Sequence, residues 1–206
     1  MKLNNNIILI TGAAGFLGSK IIKTLLEEKA YCILIDKNKT KLKKLSIELN
    51  KKNYKNFSIF NVDITSERQI KKIHKIINKR YKRIDGILNL AAIDPKVDKK
   101  NSLFNSFEKT NLESLKLQIN VGIYGLVLLT KYFINLLKKS KKASVVNIAS
   151  DLSVISPDHR IYGRKGGILV SKPISYSIVK HGVVGFTKYL ATYYGKDQIR
   201  FNCISP

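Results

Sequence analysis

Cysteine is scarce in this sequence. Its two cysteines, Cys32 and Cys203, stand far apart in apolar surroundings, without CxxC spacing or nearby pairs of histidines. A zinc site and a disulfide framework both need several suitably spaced ligands or partners, so neither is predicted. Two separate thiols fit a reducing cytoplasm, which is the location we expect.

Long hydrophobic runs are also missing. The longest, at residues 121–129, contains Gly122 and Gly125. It falls well short of the roughly 20 apolar residues that span a bilayer. The apolar stretch at residues 7–10 is too short for the core of a secretory signal. We therefore expect no membrane segment and no secretory leader.

Acidic residues and arginines are few. The chain has 14 acidic against 38 basic side chains, and its net charge of +24 would attract phosphate of any nucleic acid. Nearly all of the cations are lysines on the polar sides of predicted helices, and no arginine cluster with interleaved aromatics is present. We interpret them as a solvated surface rather than a specific nucleic-acid site, with a basic nucleic-acid-binding module as the alternative.

Internal repeats, low-complexity tracts and interdomain linkers are absent from the sequence. A chain of 206 residues that is 44% hydrophobic can bury one core but hardly two. The prediction is a single domain over residues 1–206.

Six short apolar segments alternate with stretches of helical spacing. Strands that are apolar throughout and separated by helices predict an α/β fold, with a doubly wound parallel sheet covered by helices on both faces. Ser66 and Gln69 predict a capping box, a long helix is predicted over about 115–137, and 152–175 is the one long stretch without a pattern. The predicted strands are NIILI, YCILID, FSIFNVDI, DGILNLAA, SVVNIAS and IRFNCIS.

A glycine-rich turn joins the first strand to the first helix. It reads TGAAGFLG and places Gly12, Gly15 and Gly18 where the backbone turns sharply, approaches a ligand and packs against the strand. Free N–H groups and the helix dipole at such a turn suit a pyrophosphate. The turn therefore predicts a Rossmann-type dinucleotide site.

Acidic residues follow the second and third strands. Asp36 lies eighteen positions past Gly18, where a carboxylate can accept hydrogen bonds from both hydroxyls of an adenosine ribose and repel a 2′-phosphate. This favours NAD over NADP, although Lys37 would soften the preference, and Asp36 could instead cap a helix or face solvent. Asp63 could receive the adenine amino group.

Small residues follow the fourth strand in the sequence NLAA, residues 89–92. Its Asn89 could contact the ligand, or it could tie neighbouring strands together.

Tyr176 and Lys180 are four positions apart in SYSIVKHG. On a helix they share a face, and a buried cation beside a phenol favours the phenolate, which suits proton transfer to or from a carbonyl or alcohol oxygen. Simple packing of Tyr176 is the alternative.

Together these features resemble the short-chain dehydrogenase/reductase family over essentially the whole chain. The matching segments keep the family's order: TGAAGFLG, Asp36, Asp63, NLAA, Asn120-Val-Gly122, Ser150, YSIVK at 176–180 and NCISP at 202–206. Ser150 could otherwise cap a strand end, and Asn120 could be an ordinary helical residue.

The resemblance implies hydride transfer between a nicotinamide and a hydroxyl or carbonyl carbon of a small-molecule substrate. Tyr176 would be the general acid/base and Ser150 would hold the substrate oxygen. Lys180 would bind the nicotinamide ribose and favour the phenolate, and Asn120 would support a proton-relay water through its backbone. The implied cofactor-binding residues are Thr11, Gly12, Gly15, Phe16, Leu17, Gly18, Asp36, Asp63, Ile64, Asn89, Ala91, Tyr176 and Lys180.

The sequence departs from the family's common pattern in three places. Phe16 stands where a glycine is usual, and NLAA replaces NNAG. The twenty-six positions between Ser150 and Tyr176 suggest an insertion over the active-site mouth. Its SDLSVISPD stretch resembles members that modify flagellin or surface-polysaccharide sugars, which implies a sugar or nucleotide-sugar substrate. Arg160, Arg164 and Lys165 there could meet a phosphate or carboxylate, or simply be solvated.

Family members continue beyond the equivalent of Pro206. We therefore expect this chain to lack the final strand and substrate-loop region, and a catalytically impaired nucleotide-binding scaffold is the alternative to an active enzyme. By the same resemblance a homodimer or homotetramer is expected. Gly125, Leu129 and Phe133 would then face either a partner or the chain's own sheet.

Overall fold

The computed structural model describes residues 3–94, 107–165, 168–169 and 171–206. Within them, all six predicted strands are present: β1 (Ile7–Thr11), β2 (Tyr31–Asp36), β3 (Phe57–Asn61), β4 (Gly86–Asn89), β5 (Ser144–Ile148) and β8 (Arg200–Ile204). The labels β6 and β7 belong to two short strands outside this sheet. The six strands form one parallel sheet in the order β3-β2-β1-β4-β5-β8.

Helices cover both faces of this sheet. They are α1 (Phe16–Glu27), α2 (Lys39–Lys51), α3 (Glu67–Tyr81), α4 (Leu112–Ile119), α5 (Gly125–Leu137) and α6 (Ile174–Tyr193). Side chains alternate across a strand, so Ile10 and Leu34 bury against α1 and α2, whereas Leu9 and Ile33 join the core that contains α3 and α5. The predicted doubly wound α/β fold is confirmed.

The predicted capping box at the start of α3 is only half formed. Ser66 Oγ accepts from Gln69 N at 3.4 Å, but the Gln69 side chain turns to Asp63 and accepts from its backbone N–H at 3.0 Å. This second hydrogen bond therefore fixes the segment that follows β3, beside the edge of the sheet where a ligand is predicted to bind.

The long predicted helix begins at Leu112 and contains a π-helical turn, Asn120–Tyr124, between α4 and α5. The helical stretch Leu112–Leu137 is long and apolar enough to cross a membrane by length and composition, and 56% of its most apolar window is buried inside the fold. This helical stretch is longer than the apolar run at residues 121–129 because polar residues continue the helix beyond that run. Burial against the sheet explains its apolar character.

Gly125, Leu129 and Phe133 face the chain's own core. Leu129 is 1% exposed and Phe133 is fully buried, so these residues cannot face a partner as the sequence allowed. Other apolar side chains of α4, the π-helical turn, α5 and α6 are exposed, among them Leu117, Tyr124, Val127 and Ile178.

The stretch 152–175 is not without structure where it is described. It contains short 3₁₀ turns at Asp151–Ser153 and His159–Tyr162, and an antiparallel pair, β6 (Arg164–Lys165) and β7 (Ile168–Leu169). Elements this short carry little periodicity, which is why the sequence pattern missed them.

Candidate active site

The glycine turn after β1 leaves no room for a side chain at Gly12 or Gly18. Gly12 has a φ of +63°, and a Cβ built on it would lie 2.7 Å from Ala91 N. A Cβ on Gly18 would lie 2.6 Å from the carbonyl oxygens of Gly12 and Ala13. The turn can therefore hold this close approach of α1 to β1 and β4 only with glycine at both positions.

A cavity of about 410 Å³, here called the central cavity, opens at the carboxyl edge of β1, β4 and β5. Thr11 forms part of its floor, where Thr11 Oγ1 accepts from Ala91 N at 3.3 Å. Of the thirteen predicted cofactor-binding residues, eleven line this cavity: Thr11, Gly12, Gly15, Phe16, Leu17, Gly18, Ile64, Asn89, Ala91, Tyr176 and Lys180.

The remaining two, Asp36 and Asp63, line an adjoining cavity of about 150 Å³, here called the Asp36 cavity. Gly12, Gly15, Ile64 and Ala91 belong to both cavity walls, so the two form one elongated cleft along the sheet edge. A crevice at the carboxyl ends of parallel strands is where doubly wound folds bind ligands.

The Asp36 carboxylate also holds the glycine turn in place. Its Oδ2 accepts from Ala14 N at 3.0 Å and its Oδ1 from Asn38 N at 2.8 Å. Asp36 is thus tied to the start of α2 while it lines the cleft, and its contact with a ribose stays a prediction. Asp63 is similarly engaged, since its Oδ1 accepts from Thr65 N and Thr65 Oγ1 at 2.9 and 2.7 Å.

Asn89 ties β4 to β5 and α6. Its Nδ2 donates to Asn147 Oδ1 at 2.8 Å, and Asn147 Nδ2 donates to Thr187 Oγ1 at 2.8 Å. Asn147 is 1% exposed yet lines the central cavity, and sequence reasoning missed it. The available signal was an asparagine inside the otherwise apolar strand SVVNI, where a buried amide needs partners.

Lys180 lies deep in the central cavity beside Tyr176. It is 7% exposed, donates from Nζ to the Ile148 carbonyl at 2.8 Å, and lies 5.6 Å from the Tyr176 ring centroid. Burial lowers the pKa of the Lys180 ammonium, nearby Asp94 acts to raise this pKa, and Lys172 acts to lower it. The predicted helical pairing of Tyr176 and Lys180 places both on one cavity wall.

A second lysine covers the other side of the tyrosine. Lys172 Nζ lies 4.2 Å from the Tyr176 ring centroid and forms an ion pair of 2.7 Å with Asp94 Oδ1. Neither Lys172 nor Asp94 was predicted. The spacing of Lys172, four positions before Tyr176, was visible in sequence, but Lys172 precedes α6 and the pairing with Asp94 spans 78 positions.

Tyr176 also lines a third cavity of about 380 Å³, here called the loop cavity, together with Ser150. Ser150 is 5% exposed, and its Oγ donates to Asp151 Oδ1 at 2.7 Å. This hydrogen bond, followed by one from Leu152 N, lowers the pKa of Asp151. Ser150 does not line the central cavity, so Tyr176 stands where the central and loop cavities meet.

Asn120 does not line the central or the loop cavity, where the other predicted catalytic residues lie. Its side chain is exposed, it lines neither cavity, and its carbonyl accepts from Gly125 N inside the π-helical turn. Gly122 lines the central cavity instead, and a Cβ built there would clash with Val179 Cγ1. The extra residue of a π-helical turn rotates the helix face, so counting along an α-helix does not locate the inward residue.

The cations of the insertion are placed differently from the sequence expectation. Arg160 donates from Nε and Nη2 to the Asp158 carboxylate at 2.9 and 2.8 Å, so Asp158 already occupies its guanidinium. The side chains of Arg164 and Lys165 lie outside the described part of the structure. Within the described residues, no group of three or more His, Cys, Asp or Glu side chains could hold a metal ion.

Comparison with known proteins decides the family. A family model described as short chain dehydrogenase matches residues 6–206. The chain belongs to the short chain dehydrogenase family. It is therefore an oxidoreductase of this type, as the sequence predicted.

The similarity extends to proteins with different named roles. This short chain dehydrogenase is 27% identical over 203 residues to post-translational flagellin modification protein A of Campylobacter coli, covering 98% of the chain and 77% of that protein. It is also 27% identical over 208 residues to zerumbone synthase of Zingiber zerumbet, covering 100% and 69%.

Among solved structures, the short chain dehydrogenase of Leptospira borgpetersenii with bound NAD+ is 30% identical. The match has a TM-score of 0.82 and covers 100% of this chain and 72% of that one. The described fold is thus that of a dinucleotide-binding relative.

Proposed function

We propose that this short chain dehydrogenase uses NAD to interconvert a hydroxyl and a carbonyl group on a sugar-derived small molecule. The observation that carries the proposal is the position of Tyr176, between the glycine-lined central cavity and the loop cavity, with Lys180 buried beside it. A phenol at that boundary can reach both a cofactor and a substrate.

The cleft fits a dinucleotide by its shape and donors. The glycine turn supplies backbone N–H groups at the start of α1, with no Cβ to obstruct a pyrophosphate. Asp36 would accept from the adenosine ribose, Asp63 would lie near the adenine, and Lys180 would hold the nicotinamide ribose. When bound, the nicotinamide supplies or accepts the hydride.

The proton moves through this chain's own residues. Tyr176 would give a proton to the carbonyl oxygen in reduction, or take one from the hydroxyl in oxidation, and the nearby ammonium of Lys180 stabilises the phenolate. Ser150 lies in the same cavity wall, and its hydroxyl would turn from Asp151 to donate to the substrate oxygen. The backbone role predicted for Asn120 is not part of this arrangement, because Asn120 lines neither cavity and its carbonyl accepts from Gly125 N.

A preference for NAD rests on Asp36. Its carboxylate faces the Asp36 cavity while backbone N–H groups fix it, so it cannot turn away from a bound ribose at little cost. A 2′-phosphate there would meet this negative charge. The bound NAD+ of the Leptospira relative supports the same preference.

A sugar-derived substrate is supported by two observations. One relative is named for modifying flagellin, and the insertion's sequence resembles that of family members that modify flagellin or surface-polysaccharide sugars. The loop cavity is lined by Ser150, Asp151, Ser156 and Tyr162, whose polar atoms suit the hydroxyl groups of a sugar. We also place the enzyme in a reducing cytoplasm, where Cys32 and Cys203 would remain thiols.

Thermal unfolding with cofactor tests the proposal first. NADH should raise the midpoint of the wild-type chain more than NADPH does, because a ligand that binds only the folded state stabilises it by mass action. Asp36→Asn should lose most of the midpoint shift caused by NADH, so that the shifts caused by NADH and NADPH become more similar. Asp197→Asn, a surface change away from the cleft, is the matched control and should behave as wild type.

Turnover is then measured with NAD+ against a panel of sugar alcohols and nucleotide sugars. Tyr176→Phe should lower kcat by about 100-fold or more, the range expected for general acid–base catalysis, and leave the NADH-induced thermal shift in place. Cofactor binding without any turnover would indicate a nucleotide-binding scaffold. A chain indifferent to both cofactors would contradict the proposal.

A further inference from the structure

A fourth cavity lies beyond the loop cavity, between α4 and the start of α6. It measures about 480 Å³ and is here called the serine cavity. Ser156, Pro157 and Lys172 belong to the walls of both the loop and serine cavities. The serine cavity therefore adjoins the loop cavity, which Tyr176 lines, although Tyr176 itself does not line the serine cavity.

Buried polar atoms in the wall of the serine cavity lack partners. Gln118 is 4% exposed, and its Nε2 donates to Ser114 Oγ at 3.1 Å while its Oε1 has no hydrogen-bond partner. His159 Nδ1 is likewise buried and unpartnered. A buried polar atom without a partner is unfavourable, so this wall is suited to a polar ligand.

The Gln118 amide can present a donor to that ligand. If it is flipped, Ser114 Oγ–H donates to Oε1 and the unpartnered atom becomes an N–H group. The bond to Ser114 is kept in either orientation. Gln118 can thus form a hydrogen bond with either an acceptor or a donor of the ligand.

The remaining features of the wall favour negative charge. The first turn of α6 borders the cavity, and Pro173 at its N-cap provides no side-chain acceptor for the free N–H groups. Lys172 adds a cation, whose ion-pair partner Asp94 does not line the cavity, and Ser175 and Ser177 add hydroxyl groups. No carboxylate occurs among the described residues that line this cavity.

We propose that the serine cavity binds a phosphoryl group carried by the substrate, whose reacting carbon lies in the loop cavity. Lys172, His159 and the first turn of α6 would hold its oxygens, and Gln118 would complete the shell. This assignment rests on the proposed function for its link to Tyr176. It transfers the anion contact that the sequence allowed for Arg160 to Lys172, because Lys172 lines the serine cavity and Arg160 does not.

Thermal unfolding of the full chain saturated with NADH tests the site, with inorganic phosphate and glycerol phosphate as probes. Chloride holds the ionic strength constant, and glycerol is the uncharged control. Both phosphate probes at about ten times their dissociation constants should raise the wild-type midpoint by about 3–5 °C, and glycerol should not. NADH keeps the probes from the glycine turn.

Variants separate this site from the many surface lysines. Lys172→Met and His159→Gln should each lose most of the shift, and Lys172→Arg should keep it. Lys188→Met, at an exposed lysine on α6, should match wild type. His159 lies in a surface turn, so His159→Gln still tests the site if Lys172→Met folds poorly.

Each outcome bears on the proposal. A shift with inorganic phosphate alone would overturn the substrate assignment in favour of a free anion, and no shift, or one that survives both variants, would overturn the site. If NADH itself has no effect, the proposed function fails, whereas a phosphate shift that depends on Lys172 would still establish the site. The two failures are therefore distinguishable.

Discussion

At the scale of single residues, the site is organised around Tyr176 by charges on both sides. Lys180 is buried and bound to the Ile148 carbonyl, and Lys172 is held over the ring by Asp94. The first pair follows from helical spacing and was predicted. The second depends on a contact between residues 78 positions apart, which no local pattern reveals.

His74 should give the fold a pH dependence. It packs edge-on against Phe133 at 5.4 Å, and burial, followed by the charge of Lys139, lowers the pKa of its imidazole. The folded state thus resists protonation, so the contribution of His74 to stability is present above the unfolded pKa of about 6.5 and is lost as the pH falls.

We therefore expect a fall in the unfolding midpoint between about pH 7.5 and about pH 5.5, and a smaller fall in His74→Gln. His181→Gln, at an exposed position, is the control and should keep the wild-type dependence. Equal slopes for wild type and His74→Gln would show that other groups dominate.

At the scale of elements, the helix containing the π-helical turn decides which residues face the site. Sequence periodicity located α4 and α5 and correctly indicated their apolar character. It did not reveal the π-helical turn at Asn120–Tyr124, which turns Asn120 outward and Gly122 toward the central cavity. Gly122 also permits close packing of this helix against Val179 of α6.

Gly122→Ala should destabilise the fold because its Cβ would clash with Val179 Cγ1. We expect a loss of about 1–3 kcal/mol in the free energy of unfolding, as is usual for overpacking, measured by urea denaturation. Gly185→Ala on α6 is a matched control with no atom near its added Cβ, and it should be neutral or stabilising.

Shortening the neighbour should relieve the clash. The double variant Gly122→Ala/Val179→Ala should be more stable than the sum of the two single effects predicts. Simple additivity would argue against close packing at this crossing.

At the scale of the whole molecule, apolar clusters pack on both faces of one sheet. The strands Ile7–Thr11 and Tyr31–Asp36 contribute to both faces, which supports the inference that residues 1–206 unfold as one domain. Four of the exposed apolar residues of α4, the π-helical turn, α5 and α6 are candidates for self-association, namely Leu117, Tyr124, Val127 and Ile178.

We propose that these exposed residues form a homodimer interface. Size-exclusion chromatography with light scattering should give twice the chain mass for wild type. Tyr124→Glu should raise the dimer dissociation constant by about 30-fold or more, as expected for a central aromatic contact. Val154→Glu, at a residue exposed elsewhere, should remain dimeric, and a monomeric wild type would contradict the proposed interface.

The sequence alone determined the order of strands and helices, the glycine turn, and the pairing of Tyr176 with Lys180. These features depend on periodicity, on the backbone demands of glycine and on spacing within one helix, all of which are local. Each of the thirteen cofactor positions taken from the motifs lies on the central or Asp36 cavity for the same reason.

Only the tertiary structure decided which distant groups meet. It joined Asn89 to Asn147 and Thr187, placed Asp94 on Lys172, turned Asn120 outward and occupied Arg160 with Asp158. It also opened the serine cavity beside the loop cavity. These arrangements depend on how separate elements pack and on which buried polar group finds which partner, and that is settled only when the whole chain has folded.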